Sequence, residues 1–367
     1  MNELLRSKLL EMFFKMVRIN SESGEEQEFI DFLKELFVQE LKADYIIDDF
    51  GNLILKIPSK NSSCINPIFF GVHADTVKPG KNIEPFLDNK GIIRSKKETI
   101  LGSDDKAGIV ELFEAIKTSN QHPPLEIVVS VGEEVGLFGS ENLDISLLKS
   151  KIGFVIDTAK LEDIIIGGPS YISINIEIIG KGAHSGVRPE EGVSSIKVAA
   201  YAISMLREGW IDKETNTNVG IIRGGKTLNS VPERTNVKIE CRSLSKKKCL
   251  AQSSLIKEIF NTAAKAVGAR VEVKSEQKME AYQISEKSEV VKIAKKALIK
   301  EGLIPNIRSI CGVSDATNYN NKGIKTITIG MGNKSSHSIE ENISLEDMEK
   351  AVNILHNIFI ELESAKK

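Results

Sequence analysis

The sequence predicts an α/β domain, with a mostly parallel sheet and helices on both faces, that is interrupted by a smaller α+β domain. Two patterns and the length support this fold class. Short apolar runs alternate with helical patterns early and late in the chain, as buried parallel strands and their covering helices require. Near the middle, apolar residues alternate along the strands, which is typical of a sheet with one face in water. The 367 residues suggest about two domains.

The elements expected for the α/β domain begin with two helices. Residues 3–17 place apolar side chains at helical spacing, and Ser21 and Ser23 are candidate N-caps for a second helix. A further helix is expected over residues 107–118. Four apolar runs predict buried strands, and polar residues follow them: 68–72 precedes His73, 127–131 precedes Glu133 and Glu134, 154–156 precedes Asp157, and 327–329 precedes the loop that contains His337.

The middle of the chain has the order strand, helix, strand, strand, helix, strand, which is the split order of a ferredoxin-like domain. The six elements are expected at residues 171–179, 193–207, 218–222, 236–242, 249–266 and 270–274. The Gly-Gly-Pro turn at 167–169 and the polar stretch at 275–278 are the expected crossings between the domains. We therefore expect an α/β domain of residues 1–168 and 279–367 and an inserted domain of residues 169–278.

Composition disfavours several classes of protein. The 49 Lys and Arg residues nearly balance the 51 Asp and Glu residues, and the net charge of −2 argues against nucleic-acid and membrane partners. No apolar run approaches the roughly 18–20 residues that cross a bilayer, and the amino terminus lacks the apolar core of a secretory signal. The four cysteines have no CxxC spacing, which disfavours a zinc ribbon or a redox motif. We expect reduced thiols in a cytoplasmic protein.

Polar residues at the carboxyl ends of the predicted strands are the candidate functional residues, because ligands bind there in open α/β sheets. They are His73, Asp75, Glu133, Glu134, Asp157 and His337, together with Asp104 and Asp105 before the helix at 107–118. Each has an ordinary alternative: a structural histidine, a pair of helix caps, a solvated glutamate pair or a turn residue. These alternatives do not explain why so many of the residues share a position at a strand end.

Metal chemistry accounts for this set of residues. Two imidazoles and three carboxylates, one of them bridging, can hold two zinc ions about 3.5–4 Å apart while a position stays open for water. Two of the acids that remain have other uses. Asp75 lies two residues after His73 and can orient its imidazole through a hydrogen bond. Glu133 precedes a candidate ligand carboxylate and can act as general base on the water.

Six segments resemble, in order, those of the dinuclear zinc exopeptidases that include peptidase T, carboxypeptidase G and aminoacylase, and most closely those of the peptidase T-like group. The segments are GVHADTV at 71–77, LGSDDKAG at 101–108, VGEEVGLFGS at 131–140, IDTA at 156–159, GKGAHSG at 180–186 and KSSHSIEE at 334–341. They span nearly the whole chain. The resemblance implies a zinc-dependent catalytic domain and an inserted lid and dimerisation domain.

The resemblance also implies roles for the candidate residues. The ligands of one zinc ion would be His73, Asp104 and Asp157, and those of the second would be Asp104, Glu134 and His337, with Asp104 as the bridge. Glu133 would be the general base, and Asp75 would lie behind His73. A cis peptide bond is implied between Asp104 and Asp105. Ligands of these types accept Zn²⁺, with Co²⁺ or Mn²⁺ as substitutes.

In the inserted domain, the resemblance implies three residues that contact the substrate. His184 would stabilise the oxyanion from the partner subunit of a homodimer, and Asn229 and Arg242 would bind the substrate. An Arg can hold a free carboxylate through two parallel hydrogen bonds. The alternatives are a turn histidine flanked by glycines and an Arg on a solvated strand face. Glu341 also matches the family, and we interpret it as structural support.

These residues predict a zinc-dependent exopeptidase that hydrolyses an amide bond of a short peptide, in the manner of a tripeptidase or an aminopeptidase. The segment HSGVRPEEG at 184–192 departs from the corresponding segment of peptidase T, so specificity for tripeptides does not follow. The alternatives are N-acyl amino acid hydrolysis or carboxypeptidase action within the family, and a catalytically inactive, metal-binding dimer scaffold. The intact Glu133 argues against a scaffold, which has no use for a base.

Overall fold

The computed structural model describes residues 3–364 of the chain, which form two compact units. The first unit contains the residues up to Ile166, Gln283–Arg308 and the residues from Ser314 onwards. The second contains Gly167–Tyr282 and Ser309–Val313. Within residues 3–364, no helix is both long and apolar enough to cross a membrane.

The helices and strands are numbered in chain order. The helices are α1 (Glu3–Arg18), α2 (Gln27–Leu41), α3 (Ser103–Thr118), α4 (Phe138–Asn142), α5 (Ser195–Ser204), α6 (Lys246–Lys265), α7 (Glu289–Lys300), α8 (Ala316–Asn321) and α9 (Leu345–Ser364). The strands are β1 (Asp44–Ile47), β2 (Leu53–Ile57), β3 (Ile68–His73), β4 (Pro85–Leu87), β5 (Ile92–Ser95), β6 (Leu125–Ser130), β7 (Ile152–Thr158), β8 (Asp163–Gly168), β9 (Ser170–Ile179), β10 (Gly209–Trp210), β11 (Thr215–Gly224), β12 (Arg234–Ser243), β13 (Arg270–Met279), β14 (Tyr282–Gln283), β15 (Asn306–Ser309), β16 (Lys325–Gly330), β17 (Asn333–Lys334) and β18 (Asn342–Ser344).

The large sheet has the strand order β1-β2-β6-β3-β7-β16-β8-β14, with β15 beside β8. Its four central strands, β6, β3, β7 and β16, are parallel, and β3 and β6 are buried along their whole length. Phe70 of β3 packs against Phe154 of β7 and Phe359 of α9, with ring centroids 5.5 and 6.1 Å apart. The predicted fold class, a mostly parallel sheet flanked by helices, is confirmed. The first unit also contains a small sheet of order β17-β18-β5-β4.

The second unit is built on an antiparallel sheet of order β10-β11-β12-β9-β13, with α5 and α6 packed against it. The four long strands and two helices follow one another in the ferredoxin-like order that the sequence predicts. Alternation along β9 has the expected consequence: Ile172, Ile174, Ile176 and Ile178 are buried in the core that this sheet shares with the two helices.

Two local predictions were wrong. Ser21 and Ser23 do not cap the second helix, because α2 begins at Gln27 and its N-cap is Glu26. The segment before α2 is instead bound to the residues that follow β3: Ser21 accepts the backbone N–H of Thr76 at 2.9 Å. The stretch 275–278 is not a crossing but part of β13, because its backbone continues the pairing with β9 up to Met279.

The amino end of α3 is held by a residue from a distant part of the chain. Its N-cap, Gly102, offers no side chain, and Asp104 and Asp105 have non-helical backbone angles and do not cap the helix. The buried carboxylate of Glu341 accepts five hydrogen bonds of 2.6–3.1 Å, donated by the backbone N–H groups of Leu101, Gly102, Ser103 and Asp104 and by the hydroxyl of Ser103. These bonds satisfy N–H groups that every helix start leaves unpaired.

We expect Glu341→Gln to lower the free energy of unfolding of the first unit by about 2–3 kcal/mol, because an amide nitrogen cannot accept and at least two N–H groups lose their acceptor. The measurement is urea unfolding in a metal chelator, followed by far-UV circular dichroism, since the single tryptophan, Trp210, lies in the second unit. The matched control is Glu340→Gln, a neighbouring exposed residue, which should leave unfolding unchanged. Equal unfolding curves for the two variants would contradict the assignment.

Candidate metal centre

Five of the sequence-predicted residues meet at one place in the first unit. The structure places His73 at the end of β3, Asp104 at the start of α3, Glu134 after β6, Asp157 near the end of β7 and His337 in the loop after β17. Their ligand atoms form two groups, each within 4.8 Å: His73, Asp104 and Asp157, and Asp104, Glu134 and His337. Because β3, β6 and β7 are parallel, their carboxyl ends meet at one edge of the sheet.

Asp104 belongs to both groups and lies between the two imidazoles. Its Oδ1 is 3.3 Å from His73 Nε2, and its Oδ2 is 3.6 Å from His337 Nε2. Burial acts to raise the pKa of Asp104, but the neighbouring His73 and His337 lower it below its ordinary value. A carboxylate that directs one oxygen at each imidazole has the arrangement of a bridging ligand.

The acids around Asp104 repel one another. Burial raises the pKa of Glu133 and of Asp157 well above the usual range. The neighbouring charge of Asp157 raises the pKa of Glu133 further, and that of Asp104 raises the pKa of Asp157 further. Glu134 Oε1 lies 2.9 Å from His337 Nε2, yet this buried oxygen has hydrogen-bond geometry to no partner among the described residues. A bound cation would be attracted by the lone pairs that converge here, and it would reduce the repulsion between the acids.

Asp75 supports the site in more ways than its spacing from His73 suggests. Its backbone oxygen lies 2.9 Å from His73 Nδ1, whereas its carboxylate Oδ1 lies 3.5 Å from that nitrogen. The carboxylate accepts the backbone N–H groups of Glu133 at 2.9 Å and Glu134 at 3.1 Å, and the hydroxyl of Ser23 at 2.7 Å. Burial acts to raise the pKa of Asp75, but its contacts with His73 and Ser23 lower it. Asp75 therefore fixes the backbone that carries both glutamates.

Two residues that the sequence did not single out hold the loop between β6 and α4. Asn52 accepts the backbone N–H of Val131 at 3.2 Å and donates to the backbone oxygen of Gly139 at 3.0 Å. Glu26 accepts the backbone N–H of Gly132 at 3.1 Å. Neither residue belongs to a recognisable motif. The only signal available is that Asn52, a polar residue, directly precedes the apolar strand β2.

The Asp104–Asp105 peptide bond is cis, as the family resemblance implies. Asp105 is fully buried, and its Oδ2 accepts the backbone N–H of His73 at 3.1 Å. Burial raises the pKa of Asp105 well above its ordinary value. Asp105 therefore connects the start of α3 to the end of β3, on which His73 lies.

The three remaining candidates, His184, Asn229 and Arg242, lie in the second unit. The loops of His184 and Asn229 are neighbours, because Ser185 donates its backbone N–H to the backbone oxygen of Asn229 at 3.1 Å. Arg242 lies on β12, where its guanidinium is 4.8 Å from the ring centroid of Tyr171 and donates to Glu240 at 2.9 Å.

Comparison with known proteins places the chain in a family. A family profile described as a peptidase dimerisation domain matches residues 166–268, and one described as M42 glutamyl aminopeptidase matches residues 72–207. An uncharacterised protein of Bacillus subtilis, YqjE, is 36% identical over 361 residues, which cover 95% of this chain and 96% of that protein. Peptidase T of Geobacillus kaustophilus is 25% identical over 96% of this chain and 98% of its own length.

Solved structures agree with this placement. The aminopeptidase PepT of Bacillus cereus superposes with a TM-score of 0.89 at 34% identity, covering 97% of this chain and 98% of that one. A tripeptidase of Staphylococcus aureus gives a TM-score of 0.93 at 31% identity, covering 98% and 99%. With this identity over nearly the whole length and a peptidase dimerisation domain in the middle, the chain belongs to the peptidase T-like group of the M20 peptidase family.

Proposed function

We propose that this peptidase is a zinc-dependent exopeptidase that hydrolyses a terminal amide bond of short peptides, in the manner of a tripeptidase or an aminopeptidase. The observation that carries the proposal is the pair of ligand groups that share Asp104. The similar proteins named aminopeptidase and tripeptidase, which align over nearly the full chain, support the same class of substrate.

Two zinc ions per chain are the proposed cofactor, with Co²⁺ or Mn²⁺ as possible substitutes. The proposed ligands are His73, Asp104 and Asp157 for one ion and Asp104, Glu134 and His337 for the other. When bound, the two ions supply Lewis acidity towards a carbonyl oxygen and lower the pKa of water. The repulsion between the buried acids supports this assignment, because cations offset it.

Glu133 is the proposed general base. It precedes the proposed ligand Glu134, it is buried with 8% of its surface exposed, and Asp75 fixes its backbone N–H. Its carboxylate would accept a proton from the attacking water and deliver that proton to the leaving amine. Asp75 would position both His73 and the backbone of Glu133.

The inserted domain, expected over residues 169–278, is proposed to be the lid and dimerisation domain, and the rest of the chain the catalytic domain. The match of residues 166–268 to a peptidase dimerisation domain supports a homodimer. His184 would stabilise the oxyanion from the partner subunit, and Asn229 and Arg242 would bind the substrate. The Nε of Arg242 is buried and has no hydrogen-bond partner among the described residues, which leaves the guanidinium a donor for a carboxylate.

A cytoplasmic location is also proposed. The four cysteines, Cys64, Cys241, Cys249 and Cys311, are buried and lie outside any disulfide bond of the described residues. Thiols of this kind support a reducing compartment.

We expect a peptide library incubated with the zinc-loaded protein to lose residues from the amino end of short peptides only, as read by mass spectrometry. A chelator should abolish the cleavage, and added zinc should restore it. Release of acetate from N-acetyl amino acids, without peptide cleavage, would favour the N-acyl amino acid hydrolase. Carboxy-terminal trimming would favour the carboxypeptidase, and no turnover with zinc, cobalt or manganese would favour the inactive scaffold.

The adjacent glutamates should give different phenotypes. We expect Glu133→Gln to keep about two metal ions per chain while turnover falls by roughly 10²- to 10⁴-fold, because a positioned base contributes that much. Glu134→Gln should instead weaken one metal site, since it removes a charged ligand. Metal content by plasma mass spectrometry, measured beside turnover, separates the two roles. If Glu133→Gln lost metal and Glu134→Gln lost only turnover, the roles of base and ligand would be assigned to the wrong members of this pair.

Mixing two inactive variants tests whether His184 acts across the dimer. If His184→Ala and Glu133→Gln subunits reassort at random, about half of the dimers are mixed, and a mixed dimer has one site with both lesions and one with neither. We therefore expect activity to recover to about a quarter of the wild-type value. The measurement is turnover after reassortment is verified with differently tagged subunits. No recovery would show that His184 acts within its own subunit or has no role.

A further inference from the structure

The loop of residues 131–139, called here the glutamate loop, carries Glu133 and Glu134 and is fastened at both ends by one carboxylate. Ser130, the last residue of β6, donates its hydroxyl hydrogen to Oδ2 of Asp315. Ser140, on α4 just after the loop, donates its hydroxyl hydrogen to Oδ1 of the same residue. Asp315 therefore joins the two ends of the glutamate loop through its two oxygens.

This connection is buried and reinforced. Asp315 is 2% exposed, and Ser130 and Ser140 are fully buried. Asn318 of α8, three residues after Asp315, donates to Ser140 Oγ at 2.8 Å and lies 3.4 Å from the backbone oxygen of Leu137. The serine hydroxyls also lie 3.2 Å from the backbone oxygens of Val72 and Leu137, so loss of the carboxylate would leave them only these longer contacts.

Backbone hydrogen bonds within the glutamate loop hold its second half, where the N–H groups of residues 136–139 donate to backbone oxygens of residues 131–133. The N–H groups of its first half make no such bonds to keep its shape. Gly132, Gly136 and Leu137 have positive φ angles, and the backbone N–H groups of residues 131–134 donate to side chains of other segments rather than to a helix or a strand. The position of Glu133 and Glu134 therefore depends on groups outside the loop: the side chains of Asn52, Glu26 and Asp75, which bind its backbone, and Asp315, which joins its ends. Ser130 also pairs with His73 in the register of β3 and β6, so the same end of the loop adjoins a proposed metal ligand.

We propose that Asp315 is a positioning residue, which holds the glutamate loop so that Glu133 faces the reacting atoms and Glu134 faces the metal centre; this rests on the proposed function of both glutamates. Asp315 itself touches no reacting atom in this proposal. It acts through Ser130 and Ser140. The competing possibility is a buried acid that stabilises the fold without any effect on the loop.

The experiment compares Asp315→Asn and Ser140→Ala with the control Glu126→Gln. Asparagine keeps the size of Asp315 but can accept from only one of the two serines. Glu126 is a matched control because it is buried on the same strand as Ser130 and accepts the hydroxyl of Ser150 at 2.6 Å, but its contacts are with residues 149–150 and not with the glutamate loop.

Hydrogen exchange of the metal-free protein is the first measurement, and it does not depend on activity. Amides of residues 131–139 should exchange at least about tenfold faster in Asp315→Asn and in Ser140→Ala than in the wild type, because the ends of the loop are released. In Glu126→Gln these amides should exchange as in the wild type, and acceleration should be confined to residues 149–150. If Asp315→Asn does not fold, the exchange rates of Ser140→Ala decide whether Asp315 positions the glutamate loop or only stabilises the fold.

Turnover of a peptide that the wild type cleaves is the second measurement, made well below the melting temperature and with metal content matched. In Asp315→Asn, kcat should fall by about 10- to 100-fold while KM stays within about threefold, because the base is misplaced and the proposed substrate-binding residues are not. Glu126→Gln should keep the wild-type kcat.

Three results would overturn the proposal. The first two are loop exchange at the wild-type rate in both loop variants, and a melting temperature lowered as in Glu126→Gln without selective exchange of residues 131–139. If the wild type cleaves no peptide, the proposed function fails, and hydrogen exchange alone decides whether Asp315 holds the loop. If exchange accelerates in an active enzyme while kcat is unchanged, the loop is held by Asp315 but Glu133 is not positioned through it, and the proposal is overturned.

Discussion

Mutual repulsion among buried carboxylates is the constraint on which the rest of the first unit depends. Burial and neighbouring acids favour the protonated forms of Glu133 and Asp157, and the pKa of each is raised as a result. The fold does not relieve this repulsion by moving the acids apart. It places an imidazole against each oxygen of Asp104 and leaves an oxygen of Glu134 without a hydrogen-bond partner among the described residues. Cations bound at a site of this kind would offset the repulsion between the acids.

Asp157 lies in the regular strand β7, but the segments that carry Asp104 and the two glutamates are irregular, and each of them is held by a carboxylate from elsewhere in the chain. Glu341 holds the non-helical start of α3 around Asp104. Asp75 holds the backbone N–H groups of Glu133 and Glu134. In both cases the carboxylate accepts charge-assisted hydrogen bonds from backbone groups, which are stronger than neutral ones. The geometry of the centre is thus set largely by residues that would touch neither a metal ion nor a substrate.

The two units pose different physical problems. The second unit is a conventional layer of sheet and helices, in which the alternation along β9 buries one face against α5 and α6. The first unit must also bury polar groups at the carboxyl edge of its sheet, and a buried polar group costs free energy unless it is hydrogen-bonded. This explains why Asp75, Asp105 and Glu341 all accept backbone N–H groups near the site.

The sequence by itself determined the type and order of the main elements and the identity of the residues that converge. Apolar periodicity distinguishes strands from helices, and a polar residue after a buried run marks a sheet edge, so His73 and Asp157 could be recognised locally. Tertiary structure decided how these residues are held. Ser23 has the features of a helix cap but donates to Asp75, and residues 275–278 are polar but extend β13. Contacts such as those of Glu341 and Asp315 join residues more than 170 positions apart. Periodicity reports only which face of an element is buried, and hydrogen bonds between distant loops exist only once the elements have packed.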